Sequence, residues 1–403
     1  MIKTANRIAT VEEYYFSRKL AEVRSLDRGD IRVINLGIGS PDQPPSSNAI
    51  DALIASARNP AHHGYQNYKG IPAFRKAIAD FYRAAYQARL DPETMILPLM
   101  GSKEGIMHVS MAFVNEGEEV LIPNPGYPTY SSVASLLGAK LRHYDLKEEL
   151  EWGIDVEALK RSDLSKVKMM WINFPHMPTG RTASREELKA LVDLARENQF
   201  LIVNDNPYSL ILNDQPLSLL SIEGADAVAM ELNSLSKSHN MAGWRLGWAA
   251  GRKEFIDAVL KVKSNMDSGM FLGLQHAATE ALNNNGKEWF AALNKMYADR
   301  KRAATEILDL LGCTYADRQS GLFVWAKAPD EIADVEKWID EILYGAKVFI
   351  TPGFIFGEAG KRFIRISLCS TEEKLQEALQ RVEKFKGDQG RGLQSQEVMN
   401  TAK

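Results

Sequence analysis

Short apolar runs alternate with amphipathic stretches along most of the chain. MILPLM at 95–100 is followed by GSKEGIMHVSMAFV, EEVLIP at 118–123 by SSVASLLG, and KVKMMWINF at 166–174 by SREELKALVDLARENQ; FLIVND and DAVAMELN come next. Apolar runs of this length suit strands buried on both faces, and the stretches between them carry apolar residues at the spacing of one helix face. Strand and helix taking turns predicts an α/β fold, a mostly parallel sheet with helices on both sides. The two ends of the chain read differently. Residues 11–28 have helical spacing, with Tyr15, Phe16, Leu20 and Val23 set among charges; the pattern stops at Asp27-Arg28-Gly29-Asp30, before a short strand in RVINLGIG. Roughly 276–312 predicts one long helical region, GLFVWAKA, KVFITPG and FIRISL predict strands, and EEKLQEALQRVEKF predicts a last helix. The polar tail from Gly387 is expected to fray. The predicted organisation is a large domain over 41–275 and a smaller α+β domain assembled from 1–40 and 276–403.

Composition narrows the function. With 49 Lys plus Arg against 52 acids the net charge is -3, and no basic stripe offers a footprint for nucleic acid. The apolar runs are too short to span a bilayer, so no membrane partner is expected. Two cysteines outside any CxxC suit a reducing compartment, and the charged start lacks a secretory core, so a cytoplasmic location is expected. A small soluble ligand is the remaining default.

In an open α/β sheet ligands bind at the carboxyl ends of the strands. FLIVN is followed there by Asp205 and, three residues on, Tyr208; DAVAMELN by Ser234-Leu235-Ser236-Lys237 and later Arg245; MILPLM by Gly101-Ser102-Lys103-Glu104 at a helix start. Each has an ordinary role: a carboxylate ending a strand caps a helix, a loop lysine is solvated, and GSKE is a capping device. Together they describe one ligand. A helix start bearing Ser102, with Ser234 and Arg245, suits a phosphate. Asp205 suits a protonated pyridine nitrogen, Tyr208 a phenolic oxygen, and Lys237 an aldehyde carbon. These are the parts of a pyridoxal 5'-phosphate site.

The stretch SLSKSHNMAGWRLG resembles the cofactor-lysine signature of class I aminotransferases, in which an arginine follows the lysine by eight residues. NLGIGSPD, YQNYKGIPAFRKAI, GSKEGI, PNPGYPTY, PTG at 178–180, NDNPY and FIRIS are similar to further motifs of that family, in its order, over roughly 11–386. The details look most like the branch of alanine, LL-diaminopimelate and aspartate aminotransferases. The resemblance implies the fold type I architecture, pyridoxal phosphate, and transamination between an L-amino acid and a 2-oxo acid by ping-pong kinetics. It implies that Lys237 carries the cofactor and shuttles the proton, that Asp205 pairs with the ring nitrogen, and that Tyr208 donates to the ring oxygen. Tyr127 would stack on the ring, and Ser102, Lys103 through its backbone, Ser234, Ser236 and Arg245 would hold the phosphate. It further implies a homodimer in which Tyr65 reaches the neighbouring subunit's phosphate. Arg365 would bind the substrate carboxylate with the backbone near Gly39, and Tyr14 would lie over the substrate. Side-chain specificity is expected to draw on partner residues around Lys263–Met270.

One position departs from the family. Where it usually has the asparagine of N-P-T-G, this chain has Met177, which cannot donate a hydrogen bond. Asn173 or His176 would have to swing in, or Tyr208 would hold the ring oxygen alone. Two other functions compete: a carbon–sulfur β-lyase using the same site, and a non-catalytic cofactor-binding sensor domain. No GxGxxG is completed, because Asp42 stands where the third glycine would be, and no metal is expected, since the histidines form no zinc-ligand pattern.

Overall fold

The computed structural model describes residues 2–11, 15–27 and 32–401, with side chains as far as 388. Helix α1 (Tyr15–Leu26) and the two-residue β1 (Ile34–Asn35) are followed by α2 (Ser47–Ala57) and α3 (Pro72–Tyr86). The main sheet then forms from β2 (Ile96–Leu99), β3 (Glu119–Asn124), β4 (Lys140–Asp145), β5 (Val167–Ile172), β6 (Leu201–Asp205), β7 (Ala229–Ser234) and β8 (Gly247–Gly251). Their order across the sheet is β2-β8-β7-β6-β5-β3-β4. Pairing is parallel from β7 through β4, while β8 runs antiparallel to both its neighbours.

Helices α4 (Ser102–Phe113), α5 (Pro128–Leu136), α6 (Val156–Lys160), α7 (Arg185–Asn198), the single turn α8 (Leu235–Ser238) and α9 (Lys253–Lys263) connect these strands. Every residue of β6 and β7 is buried, which is why those strands read as unbroken apolar runs. Successive side chains nevertheless serve different cores. Met170, Ile172 and Ile202 pack into one cluster, and Met169, Trp171, Leu201 and Val203 into another, the alternation a pleated strand imposes.

The single helical region expected over 276–312 is two helices, α10 (Leu272–Asn284) and α11 (Lys287–Leu310). Asn285 leaves the helical conformation and Gly286 caps the next helix, so the NNNG run acts as a stop and a restart. Beyond them lie β9 (Thr314–Tyr315), β10 (Phe323–Lys327), α12 (Val335–Ala346), β11 (Val348–Phe349), β12 (Thr351–Pro352), β13 (Phe363–Ser367) and α13 (Glu372–Thr401). Helix α13 continues past Gly387, where polar composition predicts fraying. Strands β12-β13-β10-β9 make an antiparallel sheet, and β1 pairs in parallel with β11.

The segment after β1 is tied to the C-terminal third. Ser367 donates its N–H to Leu36 O at 2.7 Å, and Arg300 of α11 makes a two-pronged pair with Asp42, 2.8 Å on each arm. Arg300 also donates to Leu368 O. This buried arginine therefore fixes the loop that carries Gly39. Replacing it by leucine leaves Asp42 unpaired, and Arg300→Leu is expected to lower unfolding free energy by about 2–4 kcal/mol in urea denaturation.

Candidate active site

The carboxyl ends of β2, β3, β5, β6 and β7, with the amino end of the antiparallel β8, surround a cavity of about 610 Å³. Strand β6 ends on Asp205, whose side chain is buried. Tyr130 donates its hydroxyl to Oδ2 at 3.0 Å, while Oδ1 is buried without a hydrogen-bond partner. Burial pushes the Asp205 carboxyl up to about 6, against the opposing pull of Tyr130 and Ser102. An oxygen in that state is suited to a cationic N–H donor.

Strand β7 runs straight into α8. Ser234 caps it, its Oγ accepting the Ser236 N–H at 3.1 Å, and the following turn aims Lys237 into the cavity, where Nζ donates to Gly39 O at 2.5 Å. Burial lowers the lysine's pKa; Arg245 and Arg365 push the same way, and Cys369 and Asp205 oppose them. A lysine that gives up its proton this readily can act as a nucleophile or base.

At the other end, Gly101 adopts φ +85° immediately before Ser102 opens α4. A β-carbon on Gly101 would lie 2.3 Å from Arg245 Nη2, so guanidinium and helix start face each other around a space only glycine leaves open. The first turn of α4 is clamped from below. Glu104 accepts the Met100 N–H at 2.5 Å and faces His108 Nε2 at 3.0 Å. Lys263, in the region expected to contribute specificity, is buried and paired with Asp267.

Arg365, on β13, is 5% exposed. Its guanidinium lies 3.8 Å from the Phe323 ring centroid and 4.6 Å from that of Phe356. Nη2 donates to Gly37 O at 2.9 Å and Nη1 to Met177 Sδ at 3.2 Å. Tyr208 and Tyr127 line the cavity, the latter edge-on to Tyr130 at 5.6 Å. Burial holds the Tyr208 phenol far above its ordinary pKa, so it is a donor at any working pH.

The cavity thus brings together Gly39, Ser102, Lys103, Tyr127, Asp205, Tyr208, Ser234, Ser236, Lys237, Arg245 and Arg365. Tyr65 does not line it and is 95% exposed; Tyr14 lies outside the described residues. Of the two groups considered as stand-ins for an asparagine at 177, neither is available. Asn173 gives Nδ2 to Asp205 O and accepts the Met177 N–H, and His176 is buried against Thr179, away from the cavity lining. Sequence reasoning missed Tyr130, Phe323 and Phe356. Tyr130 sits within PNPGYPTY, three residues past Tyr127, but nothing in the pattern ties its hydroxyl to Asp205.

An orphaned carboxylate oxygen, a deprotonation-prone lysine and a glycine-lined arginine cradle at a helix start together fit a phosphorylated pyridine aldehyde. The family description "aminotransferase class I and II" matches residues 31–382. The chain belongs to this family. This aminotransferase is 36% identical over 383 residues to an LL-diaminopimelate aminotransferase of Halothermothrix orenii, covering 94% of this chain and 98% of that one. To the enzyme of the same name from Aquifex aeolicus it is 37% identical, covering 96% and 100%. The solved structure of substrate-bound BacF from Bacillus subtilis superposes with a TM-score of 0.90 at 34% identity, over 95% of this chain and 98% of that one. The aminotransferase is a transaminase dependent on pyridoxal phosphate, moving an amino group between an amino acid and a 2-oxo acid. The lyase and sensor readings find no such support.

Two outcomes follow from this geometry. An asparagine amide at 177 would stabilise the deprotonated ring oxygen, so Met177→Asn should lower the pH midpoint of the bound cofactor's visible spectrum; an unchanged midpoint contradicts this. An acid whose folded pKa exceeds its unfolded value costs stability as pH rises through the interval between them. Cofactor-free Asp205→Asn should therefore be more stable than cofactor-free wild type at pH 8, by on the order of 1–2 kcal/mol, with the advantage gone at pH 4. Thermal melts at the two pH values check the sign.

Proposed function

We propose that this transaminase works through Lys237, Asp205 and Arg365 set around one cavity, as half of a cytoplasmic homodimer. The observation that supports it best is a lysine with weakened proton affinity sharing a cavity with a buried, partnerless carboxylate oxygen. Pyridoxal phosphate, when bound, supplies a carbonyl that condenses with amines and a ring that spreads negative charge. Asp205 keeps a proton on the ring nitrogen, and pairing with that cation returns its own raised pKa towards the ordinary range. Tyr208 donates to the ring oxygen without help from position 177, and Tyr127 covers the ring face. Ser102, the Lys103 backbone, Ser234, Ser236 and Arg245 take the phosphate.

Arg365 and the backbone at Gly39 bind the donor's α-carboxylate, and Tyr14 covers the substrate. With both ends fixed, the Cα–H bond is held in one orientation before the barrier is reached. Lys237, whose proton affinity burial weakens, would take the proton from Cα and could pass it on across the same cavity. Overall the donor gives up its amino group and leaves as a 2-oxo acid, water supplying the new carbonyl oxygen, and a second 2-oxo acid takes the amino group and releases that water. Tyr65, exposed on this chain, reaches the phosphate of a partner subunit. The large domain over 41–275 carries the cofactor, and the smaller one from both chain ends brings Arg365.

Borohydride treatment of the holoenzyme, followed by peptide mass mapping, should place the reduced cofactor on Lys237. Lys237→Ala should lose the label and at least ~10³-fold in turnover. A label on another lysine, or none, overturns the reading.

A further inference from the structure

We infer that the donor side of this site is built for an amino acid with a large apolar or aromatic side chain. The inference rests on the transaminase roles proposed above and extends them to the part of the substrate that does not react. Among the described residues, the charged groups lining the cavity are Lys103, Asp205, Lys237, Arg245 and Arg365. Four of the five have a role for their charge: Arg245 at the phosphate end, Asp205 at the ring nitrogen, Lys237 at the reacting carbon and Arg365 at the α-carboxylate, while Lys103 serves the phosphate through its backbone. Only the Lys103 ammonium is left over, and Lys103 belongs to the first turn of α4 at the phosphate end rather than to the wall beside Arg365.

The rest of the wall near Arg365 is hydrocarbon. Phe16 and Leu20 come from α1, Ile38 from the segment leading to Gly39, and Phe323 and Phe356 are the rings that flank the guanidinium. Ile38 is 43% exposed beside the cavity, an apolar surface that a bound side chain would cover. On α1, Lys19, next to Leu20, is engaged elsewhere: it is buried and paired with Asp340 at 2.6 Å and Glu22 at 3.0 Å. Val23, one turn on, packs with Leu343 and Phe349, which fixes the side of α1 that meets the cavity.

The relatives from Halothermothrix orenii and Aquifex aeolicus are named for LL-diaminopimelate, whose far end carries both an ammonium and a carboxylate. Against this wall such an end would lose water and gain no partner, whereas a phenyl or isobutyl group gains by the same desolvation.

The test uses the full chain loaded with pyridoxal phosphate and no acceptor. Phenylalanine, leucine, alanine, aspartate, glutamate and LL-diaminopimelate are each added, and loss of the cofactor's visible band is followed together with the 2-oxo acid formed. Phenylalanine or leucine should convert with a rate constant per concentration at least about tenfold above each acidic donor. An acidic donor or LL-diaminopimelate as the fastest, with its 2-oxo acid formed, overturns the specificity inference and leaves the transaminase roles standing. Conversion by no donor overturns both. Ile38→Ala should reduce the phenylalanine-to-alanine ratio several-fold, and Leu20→Lys should raise the glutamate-to-leucine ratio by about tenfold. If neither ratio moves by more than twofold, the wall does not select the donor.

Discussion

A carboxylate oxygen buried at the end of a buried strand, with nothing to bond, is the constraint around which this site is arranged. Ionising Asp205 in that position is costly, and the cost is visible in its raised pKa. The fold holds it there through fixed partners. Tyr130 holds the other oxygen, itself stacked on Trp171 at 5.0 Å, and Asn173 holds the backbone carbonyl. The neighbouring strands are buried on both faces and leave no room for relaxation. What remains is one oxygen without a partner, an unfavourable state that a cationic donor would relieve. Binding energy gained there is also folding energy, because the unfolded chain has no such site.

Lys237 is the complementary case. It emerges one turn after the adjacent strand β7, so strand spacing and the cap of α8 set where its backbone stands relative to Asp205. The C-terminal antiparallel sheet supplies the remaining cation. Arg365 projects from β13, whose partner β10 contributes Phe323 beside it, while the loop bearing Gly37 and Gly39 is fastened by Arg300 and Asp42. Two separate sheets thus meet across a glycine-rich segment. A β-carbon at Gly39 would sit 2.3 Å from Phe323 Cζ, so this contact depends on glycine.

Much of this was legible in the sequence for a physical reason. Strands buried on both faces announce themselves as apolar runs, and the residues that follow them fall at one edge of a parallel sheet. The elements that were missed lack that signature. Strand β4, at the sheet edge, is KLRHYD and mostly exposed, and β8 is GWAAG, whose glycines and alanines carry little strand preference yet are wholly buried. Asp205, Lys237 and Arg245 could be picked out because each follows a run or a motif. Tyr130, Phe323 and Phe356 could not, because their contribution is a contact across the fold, and spacing along the chain carries no information about which ring faces which cation. At position 177 the sequence shows the loss of a donor, but not that the thioether lies against Arg365, again a contact across the fold.

That contact explains how the chain tolerates methionine there. Asn173 accepts the Met177 N–H at 2.8 Å, so the backbone of residue 177 is held whatever its side chain. The side chain is then free to serve Arg365. Its sulfur is a weak, neutral acceptor, as is the Gly37 carbonyl, and the two aromatic rings attract the guanidinium without carrying net charge. A carboxylate in any of these places would fix the arginine as firmly but would neutralise it. These contacts set the orientation of the guanidinium plane through groups that carry no charge of their own, and a planar, oriented guanidinium is the geometry that a carboxylate would meet with two parallel hydrogen bonds.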